Sequence, residues 1–311
     1  MASAYGKVIL VGEHAVVYGI PAIAVGVGVA ATASARIASN PSLALGERLW
    51  ALAGAEVEAA PEVRAFHALV DELADRPGRA SELCAEVSLH QPSGVGLGAS
   101  AAIAVSLARA VSDAFGTPAA QRPPAEILAA AQAWENVFHG TASGVDAAAA
   151  YHGGCLWFEP PAPAEVLALA EPLRLGVAVA GPAVSTRLMV ESVAALRQAE
   201  PRRVEHLLCS IHSLVLDARV ALRLGRASEL GALLDRNHRL LRELGVSTPG
   251  LDAACDTARA AGALGAKLTG GGGGGCVLAL GGEAGIDRVL DAWRGVGLQC
   301  FDATVPAASP A

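Results

Sequence analysis

The chain has 311 residues, 53% hydrophobic and 17% charged, a composition that excludes a disordered or fibrous protein and leaves enough apolar material for two domains. With 23 basic against 30 acidic residues the net charge is -7, so no global attraction draws the chain to nucleic acid or to an anionic membrane. An anionic substrate therefore requires a local basic site.

Six cysteines (Cys84, Cys155, Cys209, Cys255, Cys276 and Cys300) stand singly, with no C-x-x-C and no histidine pair at zinc spacing, and read as buried thiols. The first apolar run, residues 8–11, is too short for the core of a signal peptide, which points to the reducing cytoplasm. Residues 15–35 carry no charge and approach the length of a membrane span. Gly19, Pro21, Gly26, Gly28, Thr32 and Ser34 interrupt them, however, and two strands about a Gly-Ile-Pro turn account for them better.

In chain order, residues 7–11 read as a strand followed by a Gly-Glu-His turn, and residues 22–37 as a β-rich run with valines alternating with small residues. Residues 40–80 offer one helix, opened by Pro61, striped by Val63, Phe66, Leu69, Val70 and Leu73, and closed by Pro77-Gly78; no chemistry is legible there. A short strand at 87–89 leads into Pro92-Ser93-Gly94-Val95-Gly96-Leu97-Gly98-Ala99-Ser100-Ala101-Ala102. Its three alternating glycines remove the Cβ atoms that would keep backbone N–H groups from an anion. Ile103, Leu107, Val111 and Phe115 then mark a helix whose N-terminus adds its positive end, with Ser100 in the first turn.

Several readings compete at this loop. A Walker A motif is excluded, because no lysine occurs in residues 92–102. Gly94, Gly96 and Ala99 satisfy G-x-G-x-x-A, but no acidic residue falls about 20 residues after the loop, as dinucleotide binding requires. A plain strand-to-helix turn stays open on this motif alone. Further on, Pro123-Pro124 starts a helix carrying Ile127, Ala131, Trp134 and Phe138, with Glu135 near its end. Gly140 closes it, and Asp146 leads a second alanine-rich helix, 11 residues beyond Glu135. Such a carboxylate pair on solvated helix ends is common and decides nothing by itself.

Residues 155–158 form another strand, and the proline-rich 160–172 a surface connection. After a strand at 175–179 the boundary between domains falls near residue 181. A long helical region, 187–244, is broken near Pro201, Gly225 and Gly245, and a capped helix occupies 251–261. Lys267-Leu268-Thr269, six consecutive glycines and a strand at 276–280 follow. Flanking strands this close argue for an ordered turn approaching backbone or phosphate rather than a flexible linker. A helix at 286–293 and a strand at 298–305 complete an α+β second domain.

Taken together these segments resemble the GHMP small-molecule kinases, and within them the branch that phosphorylates mevalonate. The resemblance runs nearly end to end. Gly6-Lys7-Val8-Ile9-Leu10-Val11-Gly12-Glu13-His14 matches the N-terminal signature of that branch, with Tyr5 where proline is usual. Residues 92–102 match the ATP-phosphate loop, with Ala99 in place of the first of two serines and Ser100 as the second. The segment from His139-Gly140 to Ser143-Gly144-Val145-Asp146 is the most distinctive. Lys267 to Cys276 matches the third glycine motif, and Ser185-Thr186-Arg187 the substrate side, with Val184 near where many relatives carry arginine.

The resemblance implies an α+β, two-domain GHMP kinase fold: residues 1–180 a ribosomal-protein-S5-like domain with the ATP-phosphate loop and catalytic groups, residues 181–311 a ferredoxin-like domain, and an active site in the cleft between them. It implies ATP and Mg²⁺, with Gly94, Val95, Gly96, Leu97, Gly98, Ala99 and Ser100 on the phosphates and Ser100 and Glu135 on the metal. Asp146 would accept the proton of the primary hydroxyl, Lys7 would stand beside Asp146 and the γ-phosphate, and Glu13, His14 and Thr186 would line the substrate end. Thr269, Gly270, Gly271, Gly272 and Gly273 form the third motif. The expected partner is mevalonate, with no nucleic acid and no membrane, and a homodimer is left open. Other readings are another GHMP enzyme (acting on phosphomevalonate, mevalonate O3, homoserine or a sugar) and a non-catalytic regulator, which would require loss of Lys7, Ser100, Glu135 or Asp146. All four are present.

Overall fold

The computed structural model describes residues 1–52, 60–91, 94–139, 144–282 and 285–307. The chain divides into two compact units, one formed by Met1–Gly6, Val29–Ser93 and Gly98–His152, the other by Lys7–Gly28, Gly94–Leu97 and Gly153–Ala311. Compactness thus cuts the chain differently from a linear boundary near residue 181. Residues 153–180 belong with the second unit because they supply strands to its sheets.

Two strands, β1 (Ala2–Val11) and β2 (Ala22–Ile37), run through both units and pair with each other. In the first unit, residues 31–37 of β2 lie antiparallel to β5 (Leu83–Leu89), with Ala33 opposite Val87 and Ile37 opposite Leu83. β3 (Ser42–Leu45) joins β5 in parallel and β4 (Arg48–Ala51) in antiparallel fashion. α1 (Pro61–Asp71) starts on a proline at its first position and buries Val63, Phe66, Leu69 and Val70. α2 (Ala99–Ala114) packs against α3 (Pro124–His139) and α4 (Val145–His152). Half of the buried residues of α2 are alanines (Ala101, Ala102, Ala104, Ala108, Ala110), small side chains that let neighbouring helices approach closely. Arg109 ties the edges of this layer, donating to the Ser3 carbonyl at 2.6 Å and to the Tyr151 carbonyl at 2.7 Å, its guanidinium lying over the Tyr151 ring.

In the second unit, residues 22–25 of β2 pair with β6 (Cys155–Phe158), and β6 with β7 (Glu165–Leu167). A second, wholly antiparallel sheet has the order β11-β8-β10-β9, from β8 (Leu173–Gly181), β9 (Gly265–Thr269), β10 (Gly275–Gly281) and β11 (Gln299–Val305). The helical region resolves into α5 (Thr186–Ala199), α6 (Pro201–Arg223) and α7 (Ala227–Glu243), interrupted where Pro201, Gly225 and Gly245 predict. α7 and α8 (Pro249–Ala260) pack on β9, and α9 (Ile286–Gly295) on β11. Leu207, Ile211 and Leu214 of α6 share one core with Leu175, Val177, Leu234, Leu268, Val277 and Trp293. The Trp293 indole finds a polar partner there in the Ala254 carbonyl at 2.8 Å.

Some elements differ from the sequence reading. Strands β3 and β4 lie where no strand is expected, and β7 inside the proline-rich connection; all three are short and their alternation is weak. The first limb of the uncharged 15–35 stretch is a 3-10 turn, Ala15–Tyr18, not a strand. Of the cysteines, Cys155, Cys255 and Cys276 are buried as expected, but Cys84 and Cys300 are partly exposed and Cys209 lies on the solvent face of α6. Among the described residues no helix is long and apolar enough to cross a membrane.

Candidate active site

In the first unit the chain enters α2 through Gly98, whose φ of 75° repeats the left-handed conformation of Gly94 (74°) and Gly96 (87°). That alternation turns the loop directly into the helix and leaves Ser100 in its first turn. The Ser100 hydroxyl donates to Oε1 of Glu135 on α3, and the Trp134 indole reaches the same hydroxyl oxygen at 3.3 Å. Glu135 is buried, Ser100 only partly. Asp146 is half-buried in the first turn of α4, where the positive end of the helix favours a carboxylate. Because α2 packs on both α3 and α4, one helical layer carries Ser100, Glu135 and Asp146.

In the second unit the phosphate-loop segment 94–97 is held by backbone. The Leu97 carbonyl accepts from the N–H of Lys7 at 2.8 Å, which fixes β1 beside the loop. The Val95 carbonyl accepts from Cys276 Sγ at 3.3 Å, bringing the third glycine motif alongside. Lys7 itself is buried. The glycine turn 270–275 is ordered, as its short flanking strands imply. A Cβ added at Gly272 would lie 2.2 Å from the Val246 carbonyl oxygen, and one at Gly274 2.0 Å from that of Pro182. No side chain fits this packing.

The turn after β1 completes the arrangement. His14 adopts φ 62°, the only left-handed residue other than glycine among those described, and its Nε2 lies 2.9 Å from the Gly271 carbonyl. Gly271 also abuts Thr186 at the start of α5, so His14, Thr186 and the third motif gather at one place. Burial lowers the His14 pKa, more than the hydrogen bond to Gly271 and the charge of Glu13 raise it. Glu13 is turned into the interior, 1% exposed, with Oε1 against the Lys267 ammonium and Oε2 accepting from Asn237 Nδ2 at 3.0 Å. Val184 packs at Gly273.

Of the residues singled out in the sequence, Gly98, Ala99, Ser100, Glu135 and Asp146 fall in the first unit, and Lys7, Glu13, His14, residues 94–97, Thr186 and Thr269 to Gly273 in the second. Pro92 and Ser93 of the loop, and Gly140 to Ser143 with the His139 side chain, lie outside the described residues. The sequence motifs assign no role to Lys267 or Asn237. Both are fully buried. The signal for Lys267 was available: a lysine inside an apolar strand next to a glycine run requires a buried counter-charge.

Residues 63–154 match the family described as GHMP kinases N terminal domain, and residues 218–297 that described as GHMP kinases C terminal. The mevalonate kinase of Thermococcus gammatolerans is 34% identical over 302 residues, covering 90% of this chain and 88% of its own. The chain belongs to the GHMP kinase family. A second relative of this GHMP kinase, the mevalonate kinase of Aeropyrum pernix, is 32% identical and covers 98% of this chain and 95% of its own. Among solved structures, that of L. major mevalonate kinase in complex with R-mevalonate matches with a TM-score of 0.85 at 27% identity, covering 99% of this chain and 96% of that one. Streptococcus pneumoniae phosphomevalonate kinase matches at 0.79 and 15% identity, a likeness of fold alone. The two-domain α+β GHMP kinase fold expected from the sequence is the fold of this chain.

Proposed function

We propose that this GHMP kinase transfers the γ-phosphoryl group of ATP to the primary (C5) hydroxyl of mevalonate, giving 5-phosphomevalonate and ADP. The observation that carries the reading is the identity to mevalonate kinases of 34% over 90% of the chain. Residues 1–180 carry the phosphate loop and catalytic groups, and residues 181–311 the C-terminal kinase domain. The reaction belongs to the cytoplasm, with small-molecule partners and no nucleic acid; light scattering distinguishes a monomer from a homodimer.

Phosphoryl transfer depends on positioning and charge neutralisation rather than on covalent chemistry by the protein. The backbone of residues 94–100 and the N-terminus of α2 bind the phosphates. A hydroxyl and a buried carboxylate converge at Ser100 and Glu135, hard oxygen donors of the kind that would hold Mg²⁺. Bound there, Mg²⁺ would neutralise phosphate charge. Asp146 accepts the proton of the primary hydroxyl as that oxygen attacks, and the Lys7 ammonium stabilises charge on the transferring group. His14 and Thr186 line the substrate end.

A coupled ADP assay with a panel of alcohols tests the reading, and mevalonate is the expected substrate. Turnover of phosphomevalonate, homoserine or galactose without turnover of mevalonate would retain the family and overturn the substrate. Phosphorus NMR of the product should show coupling to the C5 methylene; phosphate on the tertiary 3-hydroxyl would overturn the role given to Asp146.

A further inference from the structure

Two interior residues of the second unit, Lys267 and Asn237, far from Glu13 in sequence, close on its carboxylate. Lys267 on β9 is wholly buried and its ammonium contacts Glu13 Oε1, the Ile9 carbonyl at 3.3 Å and the Leu268 carbonyl at 2.5 Å. Three acceptors match the three donors of an ammonium group. Asn237 on α7 donates to the other Glu13 oxygen at 3.0 Å. Thr269 extends the same attachment: its hydroxyl receives the Ile9 N–H at 2.8 Å and donates to the Ile9 carbonyl at 3.2 Å. The end of β1 is therefore fastened to β9 through side chains. A carboxylate so enclosed has little left to offer a substrate.

What the attachment holds is the residue after Glu13. His14 sits at φ 62°, a conformation costly to any residue with a Cβ and maintained only where the surroundings over-determine it. Its Nε2 faces a carbonyl oxygen, which can only accept, so Nε2 carries the hydrogen and donates to Gly271. Its Nδ1 is buried and has no partner among the described residues. With the ring neutral, as its lowered pKa favours, Nδ1 is a bare lone pair. A buried acceptor of this kind is matched by a ligand hydroxyl.

We infer that Lys267 and Asn237 are positioning residues that act through Glu13 to hold the Glu13-His14 turn, so that His14 presents Nδ1 as a hydrogen-bond acceptor to a hydroxyl of the substrate. The inference rests on the reading of the protein as a kinase acting on mevalonate only for the identity of that hydroxyl. The tautomer and its dependence on Lys267 hold whatever the substrate.

The test combines steady-state kinetics with nitrogen-15 spectra of the histidine rings, the His14 signals being assigned by their loss in His14→Asn. In the unaltered protein His14 should appear as the Nε2–H tautomer, and mevalonate should shift its Nδ1 signal in the direction of an accepted hydrogen bond. Lys267→Met should raise the KM for mevalonate about tenfold or more, the loss expected for one hydrogen bond in this setting, while the KM for ATP changes little. It should also abolish the fixed tautomer of His14 before any substrate is added. Asn237→Leu, which leaves the ion pair intact, should act in the same direction but more weakly, and it serves alone if Lys267→Met does not fold. Folded variants that keep the His14 tautomer, or that lose activity with both KM values unchanged, would make Lys267 and Asn237 a structural strut and overturn the inference. If the unaltered protein fails to turn over mevalonate, the proposed function falls. The substrate-free spectra of the variants still decide the positioning role.

Discussion

The Ser100 hydroxyl, in the first turn of α2, donates to Oε1 of Glu135 near the end of α3. Two hard oxygen donors from different helices thus converge, 35 residues apart in sequence and with Trp134 packed against the hydroxyl.

If this pair holds Mg²⁺, Ser100→Ala and Glu135→Gln should each lower the rate at limiting magnesium. The loss should be at least the roughly 10- to 100-fold typical of altering even an outer partner of a metal site. Raising the magnesium concentration should restore part of it. Titration of the initial rate against magnesium is the measurement, and a loss indifferent to magnesium would assign both residues to packing.

Asp146 and Lys7 are expected to act on one reacting group. Asp146→Asn should cost about 10²- to 10⁴-fold in kcat, the range of a general base. Lys7→Met should lower kcat more than it weakens ATP binding, since the charge it deletes acts on the transfer itself. If both groups act on the one transferring phosphoryl group, their losses should not add, and the double variant should be more active than the product of the two single effects. The departure should exceed the about 0.5 kcal/mol expected of independent sites. Strict additivity in a double-mutant cycle, or a normal kcat in Lys7→Met, would remove this part of the mechanism.

How legible this was from the sequence depended on the kind of signal. β2, β6 and the three helices between residues 186 and 243 stand where periodicity and the Pro and Gly stops place them. Ser100 and Glu135 are legible because a glycine loop and a helix end mark their positions locally. A lysine in an apolar strand marks Lys267 as needing a counter-charge, but the partner, Glu13, lies more than two hundred residues away and no local pattern names it, and Asn237 carries no local signal at all. β3 and β4, four residues each, carry too few positions for alternation to be read.

The third glycine motif should be intolerant of any side chain. Gly274→Ala places a Cβ 2.0 Å from the Pro182 carbonyl oxygen at φ 142°, and Gly272→Ala one 2.2 Å from that of Val246 at φ 75°. Each should destabilise by about 1–3 kcal/mol, the range for overpacking and for a strained backbone. Gly295→Ala meets nothing within 4 Å and sits at the end of α9; it should be neutral or stabilising by up to about 1 kcal/mol. Thermal unfolding of the three variants distinguishes packing from composition, and equal shifts at all three would contradict the close approach.

Stability should also vary with pH through His238. Its Nδ1 accepts from the Leu268 N–H at 3.3 Å and its Nε2 faces Asp252 at 3.1 Å. Burial, then the charges of Arg259 and Lys267, push its pKa from the ordinary 6.5 down to about 4 against the opposing pull of Asp252. The folded state holds the ring neutral while the unfolded chain protonates near pH 6.5. This contribution is therefore complete above that pH and is lost as pH falls toward 4, by up to about 3 kcal/mol. Denaturant midpoints measured across this window should fall with acidity, and His238→Gln should flatten the dependence. An unchanged slope in that variant would assign the acid sensitivity to other groups.

The chain enters each of its two compact units more than once, with Lys7–Gly28 and Gly94–Leu97 belonging to the same unit as everything from Gly153 onward. Recombination between related genes exchanges contiguous stretches, and no single crossover can transfer either unit whole. A hybrid joined near residue 181 would take α5 to α9 and strands β9 to β11 from one parent while keeping β8 of the same sheet, the Lys7 strand, the His14 turn and the phosphate loop from the other. Inheritance of this architecture therefore favours the intact gene over shuffled halves, and divergence among such enzymes should proceed by substitution in place.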